Sequence, residues 1–147
     1  VRGYADILIA LCEAKARVNA TDLEGVTAMH AAAFNSHPDQ IKVLHKYGAE
    51  VDAVDADGWT PLYVVCQFGG DVEVAKSLLE CRADANFKAK DGSSLLDACQ
   101  SAVKGAQDQG DTKLATQFQK IESLIRAKQQ EGRVSTASSK APEPLSD

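Results

Sequence analysis

The chain has 147 residues, 44% of them hydrophobic and 25% charged, with a net charge of −5, an ordinary balance for a globular chain. The acidic balance argues against nucleic acid, whose phosphates call for clustered Lys and Arg, and no apolar run is long enough to span a bilayer. Aromatics make up only 5%, which favours close helix-on-helix packing over a core of large rings.

Apolar periodicity predicts helices over about 5–14, 27–34, 38–47, 61–68, 71–81, 94–104 and 111–130. The first has Ile7, Leu8 and Leu11 on one side, and without a preceding helix it would have one partner face too few. Either this lone helix caps the stack or the chain is an excised piece whose upstream helix is missing, and we expect the second. Ile41 with Leu44, and Val74 with Leu78, form the stripes of the third and fifth helices. In the last helix Leu114, Phe118, Ile121 and Ile125 recur at helical spacing, widened by Leu124. Lys113, Gln117, Lys120 and Lys128 lie opposite and should be solvated. From Glu131 onward Gly, Arg, Ser, Thr, Pro and Lys take over, and 131–147 is expected to be a disordered tail.

The stretch Asp55-Ala-Asp-Gly-Trp-Thr-Pro-Leu-Tyr63 organises the whole. Asp55 through Gly58 reads as a tight turn, Thr60 as a helix N-cap, and Pro61 as a first helical residue whose missing N–H costs nothing. The stretch recurs: thirty-three residues separate Thr27 from Thr60, and thirty-four separate Thr60 from Ser94. The extra residue is expected in the reversal Gly69-Gly70, where the first copy has Ser36. Second halves repeat as well, with Leu44…Ala49-Glu-Val-Asp52 matching Leu78…Ala83-Asp-Ala-Asn86. Units of this length cannot bury their apolar stripes alone, so neighbours must stack into a solenoid.

These blocks, D-x-x-G-x-T-P-L-H-x-A followed by G-x-x-E-V and L-L…A-D-V-N, resemble the ankyrin repeat over residues 3 to about 126. The resemblance implies an all-α solenoid of helix-turn-helix units with projecting β-hairpin-like finger turns. The units are a partial repeat 1–21, repeats at about 22–54 and 55–88, and a capping repeat 89–130. Departures are Ala28 and Met29 for Pro and Leu, Tyr63 and Asp97 for His, Leu95 for Pro, and Arg82 for the helix-ending glycine present at Gly48. In this family the imidazole at the His30 slot bonds the turn of its own repeat and of the next. Asn19 and Asn86 hold the position that asparagine hydroxylases modify in some members, and Asn86 matches that pattern better.

Chemistry is sparse. His37 and His45 stand too far apart on one helix to chelate one ion, and Asp55 with Asp57 lacks the further acids of a calcium loop. Neither a phosphate-binding glycine loop nor a G-x-S-x-G elbow occurs. Cys12, Cys66, Cys81 and Cys99 form no C-x-x-C and read as reduced thiols of a cytoplasmic or nuclear protein, with disulfides or a metal site as the alternative. No catalytic residue, metal or cofactor is expected. A non-catalytic interaction module is, its partner being another protein or another domain of the same chain, with the module monomeric. The competing reading is a regulatory or targeting segment of a larger enzyme or channel.

By the repeat logic the partner-facing positions are Leu23, Glu24, Val26, Phe34 and Asn35 in the first full repeat. The second supplies Ala56, Asp57, Trp59, Gln67 and Phe68, and the third Lys90, Asp91, Ser93 and Ser101. Trp59, between Gly58 and the capping Thr60, is expected to face solvent as the anchor. The recurring finger-tip acids Glu24, Asp57 and Asp91 suggest a basic partner.

Overall fold

The computed structural model describes residue 10, residues 17–69 and residues 71–139. The elements run α1 (Ala28–Phe34), α2 (Pro38–Lys46), α3 (Pro61–Val64, continuing as a π turn Val65–Gly69), α4 (Val72–Glu80), α5 (Leu95–Asp108) and α6 (Thr112–Ser139). The expected helix at 5–14, with Ile7, Leu8, Leu11 and Cys12, lies outside the described residues apart from Ala10.

Each first helix begins as the sequence predicts. Thr27, Thr60 and Ser94 are extended N-caps whose hydroxyls accept the amides of His30, Tyr63 and Asp97, satisfying a donor that the helix cannot. Successive first helices α1, α3 and α5 pack side by side, and α2, α4 and α6 form the second layer. Between the layers lie Met29, Ile41, Leu44, Leu62, Val65, Val74, Leu78, Leu95, Ile121 and Ile125, all essentially inaccessible. Ala32, Ala33, Ala75 and Ala98 are buried beside them, and their short side chains permit the close approach. The stacked helix-turn-helix architecture is therefore the one expected.

Three expectations need correction. The extra residue of the second repeat is wound into the π turn rather than added to the reversal: α2 starts at Pro38, ten residues after Ala28, but α4 starts at Val72, eleven after Pro61. A π turn holds one residue more than an α turn. The helix expected at 94–104 is longer, since α5 runs to Asp108 and ends at Gly110 with φ 78°. Ala106 is buried there and keeps the helix seated. Finally, 131–139 continue α6, because extending an established helix costs far less than nucleating one. Residues 140–147 lie outside the described residues.

The last unit is closed by α6 itself. Gln129 Nε2 donates to the Ala85 carbonyl at 2.9 Å. Gln100 Nε2 and Arg126 both donate to Glu122, whose carboxyl is held below its usual range chiefly by Arg126.

Candidate functional site: a groove between two fingers and two helices

The fingers are built from the carboxylate outward. Asp22 Oδ1 accepts the amides of Glu24 and Val26 at 2.9 Å, and Asp55 Oδ1 accepts those of Asp57 and Trp59 at 3.0 Å. The backbone closes each tip, Asp22 N–H to Val26 O and Asp55 N–H to Trp59 O, both at 3.1 Å. Ala89 occupies the turn-Asp slot of the third finger, and Asp91 replaces it by accepting the Ser93 amide at 2.9 Å and the Ser93 hydroxyl. Those two bonds hold the Asp91 carboxyl below its usual range.

Neighbouring fingers are joined. Ala56 N–H donates to Glu24 O at 2.9 Å, and Lys90 Nζ donates to Ala56 O at 3.3 Å. The Lys90 stem then covers Gly58 so closely that a Cβ there would sit 2.6 Å from it.

Behind the fingers, three residues share the slot where the family has His. His30 makes both halves of the link: Nδ1 accepts from Thr27, and Nε2 donates to the Trp59 carbonyl at 2.8 Å. The Thr27 amide can only donate, which places the ring proton on Nε2. Tyr63 makes only the forward half, donating to Ser93 Oγ at 3.0 Å. Asp97 makes only the backward half, accepting from Ser94 N and Oγ at 2.8 Å, in a unit with no further finger ahead of it among the described residues.

Between the first two fingers and helices α1 and α3 opens a groove of about 400 Å³, lined in part by Glu24, Val26, Phe34, Asn35, Trp59 and Phe68. Six of the sequence-selected residues thus converge. The walls also include His30, Ala31, Asp55 and Val64, which are not among the positions expected to face a partner. Ala31 and Val64 stand one period apart, and that spacing was the available signal.

The other selected residues fall elsewhere. Leu23, Ala56 and Asp57 are exposed at the tips, and Ser101 is exposed on α5 without lining the groove. Lys90, Asp91 and Ser93 are engaged in the finger contacts above. Gln67 is half-buried and off the groove, because the added residue of the π turn puts Phe68 where Phe34 stands in the first repeat. Trp59 is not simply solvent-facing. It is half-buried, its ring 5.6 Å from Tyr63 and 5.5 Å from Phe68, since a ring of that size at the base of a finger meets the aromatic residues of its own helix.

Cys66, Cys81 and Cys99 are free and buried. Burial pushes the Cys66 and Cys81 thiols up, aided at Cys66 by the adjacent Cys99, opposite to what a nucleophilic thiolate needs. Among the described residues no His, Cys, Asp or Glu cluster could hold a metal ion, and no helix is long and apolar enough to cross a membrane.

The family model for ankyrin repeats in three copies matches residues 1–91. Protein phosphatase 1 regulatory subunit 27 of Mus musculus is 35% identical over 68 residues, 46% of this chain and 44% of that protein. An ankyrin repeat-containing protein of Schizosaccharomyces pombe is 34% identical over 91 residues, 61% of this chain and 42% of its own length. Tyrosine-protein kinase HTK16 of Hydra vulgaris is 42% identical over 52 residues, 35% of this chain and only 7% of the kinase. The chain thus spans less than half the length of the relatives it matches. With capped first helices, bonded fingers and stacked second helices all at the matching period, the chain belongs to the ankyrin repeat family.

Proposed function

We propose that this chain is a non-catalytic module that holds a partner protein in the groove between its first two fingers. The observation that carries the reading is the convergence of Phe34, Trp59 and Phe68 with Val26 and Ala31 on one concave, solvent-open surface. Phe34 and Phe68 remain 59% and 53% exposed. Aromatic side chains left half in water beside a rigid scaffold are the kind that anchor interfaces. Relatives named as regulatory subunits of protein phosphatase 1 support a regulatory role exercised through contact.

The test is affinity capture with wild type, Trp59→Ala and Phe68→Ala side by side, with bound proteins identified by mass. A partner lost from both variants supports the groove; a partner retained by both overturns it.

The second reading is a regulatory or targeting segment of a larger enzyme, favoured by the match to a short part of a tyrosine kinase. Sequencing the whole transcript distinguishes the two. A protein extending into a catalytic domain would establish the second.

Asn86 is also proposed as the better hydroxylation acceptor. Asn19 has both ends of its carboxamide committed, to Gly48 O and Glu50 N. The exposed Asn86 side chain has no hydrogen-bond partner among the described residues. Treatment with an asparagine hydroxylase should add one oxygen at Asn86 and leave Asn19 untouched; an unchanged Asn86 mass refutes it.

A further inference from the structure

The charges facing the groove are of one sign. Its walls hold the carboxylates of Glu24 and Asp55 and no Lys or Arg. The only cation engaging the adjacent finger, Lys90 among the described residues, is turned away onto Ala56 O. Asp55 spends one oxygen on the amides of Asp57 and Trp59, leaving the other open. Glu24 uses its backbone in the finger contacts, and its carboxylate has no partner among the described residues. Next to these acids stand the rings of Phe34, Trp59 and Phe68, whose faces are electron-rich.

A groove of this composition complements one chemistry best. An apolar side chain alone would leave two carboxylates desolvated beside it and uncompensated. An acidic segment would be repelled. A guanidinium satisfies both surfaces, since it is flat enough to lie on a ring, forked enough to pair with a carboxylate, and only weakly hydrated. We propose that the occupant is a partner segment carrying an arginine beside a bulky apolar residue. The guanidinium lies against the ring faces and pairs with Glu24, while the apolar neighbour covers Phe34 or Phe68. This inference rests on the groove being the binding face.

The π turn gives this groove its second phenylalanine. Gln67 is the residue one period of thirty-three from Phe34, and if Val65–Gly69 were wound as an α turn the cation would meet its amide in place of a ring.

The experiment is selection of random displayed peptides on the purified chain, followed by titration of the selected peptides against wild type, Glu24→Gln and Phe68→Ala. The proposal expects sequences enriched in arginine next to Leu, Met or an aromatic. Affinity should drop about fivefold for Glu24→Gln and about thirtyfold for Phe68→Ala, and should weaken as salt is raised. Peptides that depend on Phe68 but carry no basic residue, or that bind Glu24→Gln as well as wild type, overturn the arginine assignment and leave the groove standing. The absence of any Phe68-dependent peptide overturns the groove reading and this inference together. A dimer in sedimentation that Phe68→Ala abolishes would assign the groove to a second copy of the chain and overturn the proposal.

Discussion

His30 donates its Nε2 proton to the carbonyl oxygen of Trp59 at 2.8 Å, across a sequence separation of 29 residues. One buried imidazole thereby caps its own helix through Thr27 and holds the next finger, at the base of the groove. Tyr63 holds the third finger by a single bond to Ser93. His30→Ala should therefore cost about 2–3 kcal/mol, because it also strands buried partners, whereas Tyr63→Phe should cost about 1 kcal/mol. Urea unfolding of the two variants measures the difference; equal losses would mean that the two links are equivalent.

Gly58 and Lys90 make a second testable pair. Gly58 has φ 79°, and the Lys90 stem lies where its Cβ would be. Gly58→Ala should destabilise by about 1–2 kcal/mol. Combining it with Lys90→Ala should recover the steric part and leave the backbone strain. Gly25→Ala should be worse, since its would-be Cβ meets the backbone of Asp55 and Ala56 at 3.0–3.2 Å, and backbone cannot swing aside. A thermal-unfolding double-mutant cycle decides the ordering.

Arg82 ends α4 at φ 68°, in the slot where Gly48 ends α2 at φ 90°. A side chain in the left-handed region costs about 1 kcal/mol, partly offset by the freedom that glycine adds to the unfolded chain. Arg82→Gly should raise stability by about 0.5 kcal/mol in equilibrium unfolding, with unchanged helicity by circular dichroism.

Asp52 occupies the place of Asn19 one repeat later. Its Oδ1 accepts the Asp84 amide at 3.0 Å, as Asn19 accepts Glu50 N–H at 2.7 Å. Burial raises the Asp52 carboxyl above its ordinary value, with the nearby Asp84 charge adding to the rise against the opposing amide bond. A carboxyl raised on folding favours the native state below its unfolded pKa and loses that advantage as pH rises through the folded one. Asp52→Asn keeps the acceptor without the charge. It should stabilise by a few tenths of a kcal/mol at neutral pH, with the gain vanishing below roughly pH 4. Unfolding measured at both pH values gives the sign; a gain that persists in acid would contradict it.

Trp59 and Phe68 separate folding from binding. Trp59 contacts Tyr63 and Phe68 and is half-buried, so Trp59→Ala should cost about 1–2 kcal/mol of stability besides about 2 kcal/mol of partner affinity. Phe68 is 53% exposed, and Phe68→Ala should weaken partner binding with less than about 0.5 kcal/mol lost in folding. Parallel melting and capture measurements distinguish them.

The repeat is legible from residue type and spacing. Turn, cap and stripe are local requirements met within a few residues, so Asp55, Gly58 and Thr60, and the pairs Ile41 with Leu44 and Val74 with Leu78, announce their roles by type and spacing alone. The same locality made the caps at Thr27 and Ser94 legible. Packing between units sets how an added residue is absorbed and which side chains meet across repeats. Whether it lengthens a reversal or winds into a π turn depends on how α3 packs against α1 and α5, and that choice puts Phe68 rather than Gln67 on the groove. Likewise Asp91 reads as a free finger-tip acid, yet Ser93 engages it; Trp59 reads as exposed, yet Tyr63 and Phe68 close on it. The residues at 131–139 carry no apolar stripe to signal a helix, and they are helical because α6 is already anchored on the last repeat.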